Sequence, residues 1–190
     1  MPDIDKEKTC CFFGHRKIDE TAELKDKLCE IIENLITNEK VETFLFGSKS
    51  QFDDLSHKVV TELKEKYHHI KRIYVRSAFQ HIPDWYEESL LKHYEGTYFP
   101  EHMEKAGRAS YVERNQEMIN HSKFCVVYYD ENYLPPRRKN SRRDLTPAPG
   151  HHTHARHRQS PALQKGWQWC AHLPKECRYR HQAPAQRARQ

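Results

Sequence analysis

Three residues near the start of the chain, Gly14, His15 and Arg16, bring together groups that an anion requires. Glycine permits close backbone approach or positive φ, arginine offers a planar fork for phosphate or carboxylate, and histidine donates to an oxyanion or titrates near neutrality. The alternative is that His15 and Arg16 merely solvate a loop. A second cluster, Gly47, Ser48 and Ser50 ahead of Asp53, would present backbone amides and hydroxyls at a helix start, again an anion-holding arrangement. Asp53 itself repels phosphate; it either accepts from a ribose hydroxyl or base amine, or serves as an N-cap. Arg114 and Asn115 form a third polar pair at the head of a predicted helix, facing a ligand or solvating that helix with Met118 as core. There is no GxGxxG or Walker sequence, so those phosphate-binding fingerprints do not apply.

The elements that position these clusters follow from hydrophobic period. Thr9 to Phe13 suits a buried strand running directly into the first cluster. Asp19 can cap a helix in which Leu24, Leu28, Ile31, Ile32, Leu35 and Ile36 form one stripe. Val41 to Phe46 reads as a second strand, the stripe from Phe52 to Tyr67 as a second helix, and Ile70 to Val75 as a third strand. Tight strand–helix–strand connections predict a doubly wound parallel sheet, because parallel strands need a crossover. A short helix is expected from Asp84 to Tyr94, irregular chain from Glu95 to Ala109, a helix from Tyr111 to His121, and a buried strand from Lys123 to Tyr129. In such sheets ligands occupy the crevice at the carboxyl ends of the strands, where all three clusters fall.

Charge divides the chain. Residues 1–146 hold 24 Lys and Arg against 26 Asp and Glu, whereas residues 147–190 hold 8 against 1. A nearly neutral domain lacks the electrostatic footprint of a nucleic-acid binder, which leaves only non-specific nucleic-acid contact through the basic tail. The cysteines at 10, 11, 29 and 125 fall within strand or helix patterns as small buried hydrophobes. With no bilayer-length apolar run and no export signal, a cytoplasmic location and no membrane partner are expected.

From Pro147 onward the chain has no Ile, Val, Met, Phe, Asp or Asn, and its only leucines are Leu163 and Leu173. Such a composition predicts a disordered tail at 147–190 beside a domain at 1–146. Cys170, His172, Cys177 and His181 match no common zinc spacing, so no metal site is expected.

Taken in order, CCFFGHR, FLFGSKSQFDDL and YVERNQEMINHS before CVVYYDENY resemble the YpsA-like branch of the SLOG superfamily. The resemblance implies a Rossmann-like α/β fold, a three-layer parallel sheet, and a pocket for a nucleotide or nucleotide-derived small molecule. It carries Gly14, His15 and Arg16 onto the GHR motif, Gly47, Phe52 and Asp53 onto the glycine-rich motif, and Arg114 and Asn115 onto the RN motif. Ser48 joins these as a ligand-binding candidate; no cofactor beyond such a ligand is expected. Binding or sensing is the expected function, with a hydrolase or transferase acting on a nucleotide derivative as the alternative. No catalytic residue is assigned, since the matched motifs supply neither a clear nucleophile nor the PGGxGTxxE sequence of related phosphoribohydrolases. Two departures stand out. The second loop keeps only Gly47 of the usual glycines, with Gln51 before Phe52, which predicts a looser hold on the ligand. The Gly-Thr loop, helix and last strand expected after the YYD strand are missing, as a shift of reading frame near Thr146 would cause. Translating the underlying nucleotide sequence in the other two frames from codon 146 tests this. Recovery of a Gly-Thr loop, an apolar helix and a β-rich strand is the expected result, and neither frame yielding that pattern refutes it.

Overall fold

The computed structural model describes residues 2–47, 49–129 and the backbone of 168–170. Five parallel strands form the sheet: β1 (Thr9–Gly14), β2 (Thr43–Phe46), β3 (Lys71–Val75), β4 (Gly96–Tyr98) and β5 (Phe124–Tyr128). A sixth, β6 (Gln168–Cys170), lies antiparallel on β5, giving the order β4-β3-β2-β1-β5-β6. The chain steps outward from β1 to β4 and then returns to the other side of β1. The strand order therefore reverses between β1 and β5, the position at which such sheets open a ligand crevice.

Alternation along the strands explains the layers. Cys10 and Phe12 on β1, with Phe44 and Phe46 on β2, bury against α1 (Ala22–Thr37) and α2 (Gln51–Lys66). Phe12 stacks on both Phe44 and Phe46, with ring centroids 6.0 and 5.1 Å apart. The alternate residues Cys11, Leu45, Ile73 and Val75 face the opposite way, where they pack with Met118 of α4 (Ser110–Asn120). A three-layer α/β Rossmann-like fold follows from these two apolar faces, each covered by amphipathic helices. Among the described residues no helix is long and apolar enough to cross a membrane.

Several local expectations are corrected. Thr21, not Asp19, caps α1: its side chain accepts from the Leu24 amide at 3.2 Å, while Thr21 itself turns back onto the Asp19 carbonyl. The helix α3 (Asp84–Leu91) stops short of Tyr94 and buries none of its residues. The stretch expected to be irregular, Glu95 to Ala109, contains β4 and two 3₁₀ turns, Glu101–Lys105 and Gly107–Ala109. Within 147–190, the three residues of β6 pair with β5, Cys170 opposite Cys125, so this piece of the tail is strand. The rest of the predicted disordered tail, and the loop from 130 to 146, lie outside the described residues.

Short β4 is held by charge. Arg72 on β3 donates from Nη2 to Glu95 Oε1 at 2.7 Å and from its backbone amide to Oε2 at 2.6 Å, and its Nη1 reaches Thr61 at 2.7 Å. Burial pushes the Glu95 carboxyl up, but the Arg72 hydrogen bonds outweigh it and hold the group below the ordinary carboxylate range. A depressed carboxylate contributes stability that is present above its unfolded pKa and is lost as pH falls through the folded one. Urea unfolding followed downward from about pH 6 should show stability falling below about pH 4.3, with a shallower fall in Glu95→Gln. Parallel pH profiles for the two proteins would show that the bridge contributes nothing.

Candidate functional site

At the carboxyl end of β1, Gly14 exists to accommodate Phe52. A Cβ at Gly14 would stand 2.5 Å from the Phe52 ring, far inside contact distance. Phe52, wholly buried, stacks in turn on Tyr128 at the end of β5, with centroids 5.5 Å apart. The GHR and FD clusters are thus two halves of one packed unit. Gln51 joins them from outside: its amide donates to the Arg16 carbonyl at 3.0 Å, and its side-chain Oε1 accepts from the Ile18 amide at 2.9 Å. Gln51 thus clasps the first loop to the start of α2.

His15 is half-buried, its ring edge-on to Tyr128 at 5.9 Å and tilted over Tyr129 at 5.6 Å. Arg16 is exposed beside it. Both lie at the switch point between β1 and β5. Ser50 caps α2, its Oγ accepting from the Asp53 amide at 3.1 Å, so Asp53 is the third helical residue and not the cap. Its carboxylate is buried, only 4% exposed, near the positive end of the helix dipole. Ser48 lies outside the described residues.

Arg114 is buried at 3% exposure and uses its donors within the protein. Nη1 donates to the Gly47 carbonyl, and Nη2 and Nε donate to Asn115 Oδ1 at 2.9 and 3.2 Å. Burial pulls its guanidinium below the ordinary value, opposed by the nearby Tyr74, Asp53 and Tyr111. Those neighbours show what the fold assembles. Tyr74 of β3 is itself raised by burial, with Tyr86 and Asp53 adding and Arg114 opposing. The structure thus brings Asp53, Arg114 and Asn115 into a floor under the loop after β2, while His15 and Arg16 form a rim one strand away. The sequence reading missed Gln51, Tyr74 and Tyr128. Tyr128 lay within the last predicted strand, Lys123 to Tyr129, and its position near the end of that strand was the available signal.

The YpsA family model, described as the YspA SLOG family, matches residues 6–143. That span contains every cluster above and ends before the compositional break at Pro147. The chain is also similar to the uncharacterized SPbeta prophage-derived protein YoqJ of Bacillus subtilis (strain 168), with 34% identity over 125 residues that cover 56% of this chain and 72% of that protein.

Gly47 is the hinge of the floor. A Cβ there would lie 2.7 Å from the Val75 carbonyl oxygen and 2.8 Å from Arg114 Cδ, so backbone and a buried arginine would both have to yield. Gly47→Ala is expected to cost about 1–3 kcal/mol in urea unfolding, as overpacking does. A change under about 0.5 kcal/mol, the range of an ordinary surface substitution, would show that the loop and Arg114 move aside freely.

Proposed function

The chain belongs to the YspA SLOG family, and on that premise we propose that it binds a phosphorylated nucleotide derivative across the carboxyl ends of β1, β2 and β5. The observation that carries this reading is the clasp of the GHR loop to the start of α2. Through Gln51 it sets an exposed arginine and a half-buried histidine beside the positive end of a sixteen-residue helix. A planar guanidinium and an imidazole at the positive end of a helix dipole are complementary to a phosphoryl group. Phosphate goes to the rim of Arg16 and His15, with the backbone of Gly14 and Gly47 beside it. The floor takes the sugar: Asp53 accepts from a ribose hydroxyl, while Arg114 fixes the Gly47 loop and balances the buried carboxylate. Asn115, half-exposed and oriented by Arg114, supplies an amide at the edge.

Binding without turnover is the reading favoured by the chemistry of the matched motifs. They provide one buried carboxylate, Asp53, whose neighbour Asp54 is exposed, and hydrolysis of a glycosidic bond ordinarily uses a pair of carboxyl groups across the scissile bond. The protein is then a sensor whose ligand is a small nucleotide-derived molecule.

Isothermal titration with ribose 5-phosphate and with AMP, whose N-glycosidic bond is intact, with products of the AMP incubation followed by chromatography, tests both parts. Saturable binding without conversion is expected, and steady conversion would overturn the sensor reading. Arg16→Lys should weaken binding by about 1–3 kcal/mol, because a point charge cannot replace a planar fork. Unchanged affinity would return Arg16 to the role of a solvated loop residue.

A further inference from the structure

Beyond the floor, at the carboxyl ends of β3 and β4, the structure holds a recess of about 490 Å³ that neither the rim nor the floor uses. Its walls include Ser77, Phe79 and Gln80 from the loop after β3, Phe99 and Met103 after β4, and Ser110 at the start of α4. It adjoins the floor. Val75, the last residue of β3, lies against Gly47, and Ser110 stands one helical turn before Arg114.

The loop after β3 is built in an unusual way. Phe79 has φ of 61°, a left-handed conformation that bulky side chains rarely adopt, and its ring is 76% exposed. Arg76 imposes this turn, donating from Nη1 to the carbonyls of Phe79 and Gln80 at 3.1 and 3.3 Å. The Arg76 Nε is buried with no acceptor among the described residues, and burial pulls the guanidinium below its ordinary value. A half-buried arginine thus holds a large ring out in water beside the recess. The lining also constrains what could enter. Two aromatic rings and a thioether offer flat apolar contact, while two hydroxyls and a carboxamide line the same space. An aliphatic chain would leave those polar groups without partners, whereas a heterocycle has apolar faces and a hydrogen-bonding edge.

We propose that this recess is the subsite for a nucleobase, stacked on Phe79 and read along its edge by Ser77, Gln80 and Ser110. The inference rests on the nucleotide-binding reading above and extends it by assigning the base to β3 and β4, with the phosphate at β1 and β2.

The test is to titrate the full chain with ribose 5-phosphate and with AMP, GMP, CMP and UMP, and to compare each nucleotide with the baseless sugar phosphate. At least one nucleotide should bind about tenfold or more tightly than ribose 5-phosphate, as base stacking on an aromatic side chain allows. In Phe79→Ala that ratio should fall toward one, and in Phe79→Tyr, which keeps a stacking face, it should persist. Because the ring is exposed, neither substitution opens the core. A ratio near one in the unmodified protein, or a ratio that survives Phe79→Ala, overturns the base subsite while leaving the phosphate site standing. Failure of all five probes to bind overturns the nucleotide reading and this inference with it.

Discussion

Phe52 lying on the bare backbone of Gly14 is the contact on which the rest of the site depends. A glycine whose missing Cβ would stand 2.5 Å from an aromatic ring is there for the ring. Because Phe52 is the second residue of α2, this contact fixes where the helix begins relative to the end of β1. The stack of Phe52 on Tyr128 extends the same constraint to β5. Two strand ends and one helix start are thereby located by a single buried side chain, and the polar residues around it inherit their positions. Interiors packed this tightly transmit strain poorly tolerated by any one partner, so the motifs on either side of the contact behave as one unit.

A second constraint is the burial of charge. Arg114 and Asp53 are both almost inaccessible, and burying an isolated ion is costly unless its hydrogen bonds and countercharge are supplied. Arg114 meets this with the Gly47 carbonyl and the Asn115 side chain, and with an aromatic face, Tyr111, 5.6 Å from its guanidinium carbon. The loop after β2 is consequently held by a side chain from α4, a helix on the opposite face of the sheet from α1 and α2. This places the three sequence clusters in one mechanical framework and distinguishes their roles. His15 and Arg16 face solvent at the rim, whereas Arg114 acts through the loop that it holds.

Much of this was legible in the sequence. Strands β1, β2, β3 and β5 carry apolar, β-branched or aromatic runs long enough to show their period, and α1 and α2 show clean stripes, so the fold and the strand ends followed. Strand β4 did not, because Gly96, Thr97 and Tyr98 are too few to show a period; the element is specified by pairing with β3 and by the Arg72–Glu95 bridge. The cap of α1 was misplaced by two residues because Asp19 and Thr21 are both good caps, and only backbone geometry chooses between them. At the site, the positions were readable from the motifs but the partners were not. That Gln51 would clasp the first loop, and that Arg114 would direct its donors inward, depend on distances between segments far apart in the chain. Strand β6 was illegible for a similar reason: its three residues lie in a segment with no aliphatic period, and it is recognised only by its register on β5.

The central claim is that the loop after β1 and the start of α2 form one anion site. Amide chemical shifts of the isotopically labelled protein, followed during titration with ribose 5-phosphate, address it most directly. The account predicts that the amides of Gly14 to Ile18 and of Ser50 to Asp53 move together and fit a single dissociation constant. Shifts confined to the arginine-rich segment after Pro147, or two loops responding with separate constants, would contradict it.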